Sequence, residues 1–194
     1  YVHVDTGALY RAVGLYVLEN GVEPTSQEQV GALLKEIEVS LAHIGGEQRV
    51  FLNGRDVSTD IRRPEVSMAA SHVRVQPAVR SFLFDLQQQM AKIHNVVMDG
   101  RDIGTVVLPH AQVKLFLTAT PEDRARRRYE ELIQKGHTVD YDTLLAEVRA
   151  RDHNDTTRTH APLKQAQDAV RVDTTGNTLE QSVSLLVNLV KEKL

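Results

Sequence analysis

The chain has 194 residues, 41% of them hydrophobic and 25% charged, with a formal net charge of -3. That suffices for one compact domain with an ordinary core, and the acidic balance argues against a general nucleic-acid binder. The absence of cysteine excludes disulfides and thiolate metal sites, and no apolar run is long enough to span a bilayer.

In chain order, Tyr1 to Asp5 reads as a short strand entering a turn at Thr6-Gly7. Ala8 to Leu18 has helical spacing, which Asn20-Gly21 stops. A sequence that opens in mid-sheet suggests residues upstream of Tyr1. Ser26 to Lys35 reads as an amphipathic helix with Ser26 as its N-cap. From about Glu36 to Arg63 the pattern changes. Ile37 to Leu41 alternates, as does the stretch around Val50-Phe51-Leu52, and Asn53-Gly54 signals a tight turn. A small antiparallel insert is expected there. Helices are expected over 64–71 and, with Pro77 in the first turn, over 77–94. Three core strands follow, over 95–99, 113–117 and 169–173, with helices over 121–135, 141–152 and 179–193. This alternation implies an α/β fold, a parallel β-sheet with helices on both faces.

Four stretches could carry chemistry. Asp5-Thr6-Gly7-Ala8-Leu9-Tyr10-Arg11 joins a strand end to a helix start, where ligands of open parallel sheets bind. It also reads as an ordinary capped helix. Asp99-Gly100-Arg101-Asp102-Ile103-Gly104-Thr105 again ends a strand. Arg101 offers a fork for phosphate and Asp102 an acceptor for an amine, or the two form a local ion pair. Arg124-Ala125-Arg126-Arg127-Arg128 packs four arginines into five residues, too dense for all to find partners nearby. It suits a cationic lid over a polyphosphate, or a solvated face with Glu130 and Glu131. Arg151, Asp155 and Arg158 share one helical face, unless Thr156-Thr157 end the helix before Arg158. They form a surface ladder or a sugar site. The histidines show no metal-ligand spacing.

In this order and spacing the four stretches, with Ala70-Ser71 before Pro77 and Arg80, and Arg151 through Pro162-Leu163, resemble the bacterial cytidylate kinase family. The similarity covers essentially the whole chain. It implies a P-loop nucleoside monophosphate kinase fold, with a core over 1–35 and 73–194, a lid within about 121–160 and a monophosphate-binding insert over 36–72. It implies transfer of the γ-phosphoryl group of ATP, with Mg²⁺, to CMP or dCMP. By resemblance, Arg11 and Arg101 hold the acceptor phosphate, and Thr6 and Tyr10 line its pocket. Ser71, Arg80 and Asp102 read cytosine, while Arg151 and Asp155 take the sugar. Arg124, Arg127, Arg128 and Arg158 act on the transferring group. The family's Gly-Lys-Ser/Thr loop, which cradles donor phosphates, is not found in these residues, since no Gly-Lys occurs. A monomeric cytoplasmic enzyme without nucleic-acid or membrane partners is expected. The rivals are a related small-molecule kinase and a nucleotide-binding fragment without turnover. An RNA-binding protein is disfavoured by the 5% aromatic content.

Overall fold

The computed structural model describes residues 1–194. They divide into two compact units, Tyr1–Ile103 and Gly104–Leu194.

The first unit opens with β1 (Val2–Asp5) and α1 (Thr6–Glu19). The Asp5 carboxylate accepts from the Ala8 amide at 3.2 Å, so the expected breaker at Thr6-Gly7 is instead the first turn of a capped helix. After α2 (Gln27–Leu33) comes the antiparallel insert of β2 (Val39–Ile44), β3 (Glu47–Leu52) and β4 (Arg55–Asp56). Asn53 and Gly54 have φ of 49° and 77°. That pair of positive values suits a tight hairpin turn between twisted strands. Two helices, α3 (Pro64–Val73) and α4 (Pro77–Ile93), each start on a proline, whose missing N–H costs nothing in the first turn. β5 (Val96–Asp99) runs parallel to β1.

α1 is the centre of this unit. Leu9, Val13, Leu15 and Val17 are fully buried, packed with Val30, Val50, Val57, Val66, Val73, Val79 and Leu83 from the helices and the insert. The insert also reaches β1 directly. The Asp5 amide donates to Gln48 Oε1 at 2.9 Å, and His43 Nε2 meets the His3 carbonyl at 2.8 Å.

The second unit holds β6 (Leu115–Thr118), α5 (Pro121–Gln134), α6 (Tyr141–Thr157), β7 (Val170–Asp173) and α7 (Leu179–Lys193). β6 and β7 are parallel. The parallel strands therefore pair two and two, each pair within one unit. α5 and α6 pack together, with Tyr129 edge-on to Tyr141 at 6.1 Å and Arg149 bonded to Glu122 at 2.6 Å. α6 runs five residues past its expected end at Asp152. The Thr156 and Thr157 hydroxyls donate to the Asp152 and His153 carbonyls one turn back, so both hydroxyls are satisfied within the helix. A single π-turn over Ile103–Val107, unexpected from the sequence, follows β5.

Candidate active site

The parallel register sets Asp5 opposite Asp99, so the two glycine-containing turns emerge side by side from β1 and β5. Thr6 Oγ1 donates to the Asp99 carbonyl at 2.8 Å. A Cβ at position 100 would lie 2.5 Å from Thr6 Oγ1 and 2.8 Å from the Ile103 side chain, so this approach needs glycine. Partial desolvation raises the Asp99 carboxyl. A His3 hydrogen bond at 2.8 Å opposes that rise, and the neighbouring Asp5 charge adds to it. The Asp99 side chain keeps 63% of its surface exposed, so its carboxylate still faces water.

Arg80, in the first turn of α4, forms a hydrogen-bonded ion pair with Asp102. The two side chains are 12% and 7% exposed. Tyr10 of α1 is buried beside them, and burial raises its hydroxyl above the usual range. Arg80 and Asp102 are its strongest charged neighbours, with opposite effects. Arg11 Nη1 donates to the Ile61 carbonyl at 3.5 Å. Ser71 lies exposed on α3, its hydroxyl bonded to the Ser67 carbonyl at 3.2 Å. Arg101 is half-buried in the turn after β5. Of the residues expected to read a base, the structure thus joins Arg80 with Asp102 and leaves the Ser71 hydroxyl on its own helix.

In the second unit the arginine-rich helix is partly paired. Three of the four arginines have partners, and Arg126 stands exposed with none, so density leaves one of them short, as expected. Arg124 pairs with both oxygens of Asp152 at 2.9 and 2.5 Å. Arg127 meets Asp123 at 2.5 Å and the Thr174 carbonyl at 2.5 Å, and Arg128 meets Glu131 at 2.8 Å. Helical geometry supplies the i+4 and i+3 partners, and α6 supplies Asp152. Asp155 is buried, with Arg151 at 4.0 Å and Arg158 at 3.9 Å. Arg158 is the non-helical C-cap just past Thr157, as the alternative expected, yet its side chain, 5% exposed, stays beside Asp155.

The sequence reading missed Arg74, which lies over the Tyr10 ring, and the Gln48 and His43 contacts to β1. No local pattern marks them, because each partner lies tens of residues away in the chain.

The sequence model of one family, described as cytidylate kinase, matches residues 1–192. The chain belongs to the cytidylate kinase family. Among curated relatives, the cytidylate kinase of Caldicellulosiruptor bescii is 49% identical over 189 residues, 97% of this chain and 84% of that protein. Those of Syntrophotalea carbinolica and Enterococcus faecalis are 46% and 45% identical over 193 residues, 82% and 85% of their lengths. As a cytidylate kinase family member the chain is a phosphotransferase by descent, and the Arg80–Asp102 pair is an enclosed ion pair of its first unit. No helix is long and apolar enough to cross a membrane, and no three metal-ligating side chains cluster.

Proposed function

We propose that this chain moves the γ-phosphoryl group of ATP onto the phosphate of CMP or dCMP, giving ADP and CDP or dCDP. The observation that carries this reading is the buried Arg80–Asp102 pair beside the β1 and β5 turns. A carboxylate accepts naturally from the cytosine amine, and uracil, with a carbonyl there, is repelled. Arg80 holds Asp102 in place. Arg11 and Arg101 take the acceptor phosphate, with Thr6 and Tyr10 along its pocket and Ser71 toward the base.

An acceptor phosphate oxygen is already anionic, so the reaction needs no dedicated base. Its bond to the γ-phosphorus forms as the bond from that phosphorus to the leaving ADP oxygen breaks. The protein's part is alignment, cationic neutralisation and exclusion of water. We assign Asp155, with Arg151, to the sugar hydroxyls. We assign Arg124, Arg127, Arg128 and Arg158 to the charge of the transferring group, within a lid over about 121–160. Mg²⁺ accompanies ATP in this reading. Asp5 and Asp99 suit it, because it takes one or two carboxylates with waters and phosphates, and a cation relieves the crowding of these two charges. When bound it supplies charge neutralisation on the phosphates.

The test is ADP release from Mg-ATP with CMP, dCMP, UMP or AMP as acceptor, alongside calorimetric CMP binding. We expect turnover with CMP and dCMP well above the other two. Preference for AMP or UMP rejects the base assignment. The residues contain no Gly-Lys, which favours one second reading, a CMP-binding unit without turnover. CMP binding with no ADP release selects it.

A further inference from the structure

Arg74 ends α3, and its side chain turns inward, leaving the residue 9% exposed. Arginine at a helix end ordinarily reaches water, so burial here needs a reason. Its guanidinium carbon lies 5.5 Å from the centre of the Tyr10 ring. A cation over the face of an aromatic ring is held by the ring's quadrupole, most strongly where water is excluded. Tyr10 is 6% exposed. Gln87 of α4, itself buried, is a hydrogen-bonding neighbour of the Tyr10 hydroxyl. Thus α1 carries the ring, the end of α3 covers its face and α4 meets its tip.

We infer that Arg74 is a positioning residue for the acceptor-base site, clamping the Tyr10 ring so that the ring fixes the Arg80–Asp102 pair. This rests on the proposed CMP site. The charged groups that face Tyr10 are Arg80 from α4, Asp102 from the turn after β5 and Arg74 from α3. Arg80 already has Asp102 as its anion, and Arg74 has the ring. A tyrosine has two side-chain torsions, so a flat guanidinium on one face removes most of its remaining freedom.

The experiment compares the full chain with Arg74→Met and Arg74→Lys. Calorimetry measures CMP and dCMP binding, and absorbance difference against Tyr10→Phe follows ionisation of the Tyr10 hydroxyl. Arg74→Met should weaken CMP and dCMP equally, by about 5- to 20-fold, and Arg74→Lys by about 3-fold or less. Because Arg74 favours the phenolate, Arg74→Met should also move Tyr10 ionisation to higher pH. Unchanged CMP affinity in Arg74→Met, with the wild-type chain binding, overturns the inference. So does an unchanged Tyr10 titration. A wild-type chain that binds no CMP overturns the proposed function instead, and the Tyr10 titration still decides the clamp. If Arg74→Met does not fold, Arg74→Gln makes the same comparison.

Discussion

The two units use arginine in opposite ways. In the first, Arg80 and Arg74 are buried, Arg80 against Asp102 and Arg74 over the Tyr10 ring. In the second, Arg124, Arg127 and Arg128 stand 37%, 43% and 52% exposed, paired across or along helix surfaces. Exposed pairs contribute little and exchange readily for another anion, whereas a buried charge that loses its partner is costly. The first arrangement suits recognition of one base in one geometry. The second suits cations that must leave their carboxylates for a phosphate and return.

The largest effect should come from breaking the buried pair. Asp102→Asn leaves the Arg80 guanidinium inside without its anion, at a cost of about 3–5 kcal/mol of folding stability. CMP-dependent turnover should vanish with it. Replacing both partners by apolar residues, Arg80→Met with Asp102→Leu, should restore most of the stability and none of the turnover. Urea melts and the acceptor assay read the two quantities separately. If the double variant also recovers CMP use, the pair is structural and the base assignment falls.

The exposed pair should behave the other way. A double-mutant cycle with Arg124→Met and Asp152→Asn should give a coupling of about 0.2–1 kcal/mol in thermal melts. Asp152→Asn should leave turnover near wild type, because that carboxylate competes with the substrate for Arg124. Arg124→Met should lower kcat by about 100-fold if the guanidinium meets the transferring group. Equal kcat losses in both single variants would mean that the pair itself is the functional unit.

How far such distinctions were legible in the sequence depended on range. Pro64, Pro77 and Pro121 marked three helix starts, and Asn53-Gly54 marked the insert's hairpin turn, because backbone sterics act locally. The Arg127–Asp123 and Arg128–Glu131 pairs were legible too, since helical spacing alone brings those residues together. Arguing from arginine density passed over them. Arg124–Asp152 spans 28 residues and Gln48–Asp5 spans 43, and only the packed structure unites such pairs. Arg80 with Asp102 was expected as a set of base readers through the family resemblance, whereas Arg74 was not, because its role lies in a ring face and not in a motif. The end of α6 fell five residues past the expected Asp152 because intrinsic helical preference is weak and tertiary packing overrides it.

The smallest effect concerns the start of the second unit's strand pair. Lys114 precedes β6, and its carbonyl accepts from the Val170 amide that begins β7. Its side chain is 7% exposed, and its ammonium bonds both oxygens of Asp168 at 2.7 and 2.9 Å and also the Pro109 carbonyl. The hydrogen bond from Lys114 holds the Asp168 carboxyl below its ordinary value. A carboxyl lowered in the folded state stabilises the protein fully above its unfolded value, about 3.9, and that contribution is lost as pH falls through the folded value. Lys114→Met should therefore lower Tm most above about pH 5, and the gap from wild type should narrow as Asp168 protonates in both. Melts between about pH 2 and 6 measure it. A gap that stays constant with pH would assign Lys114's contribution to its buried stem and its bond to Pro109, leaving the Asp168 pair as exchangeable as the arginine pairs of α5.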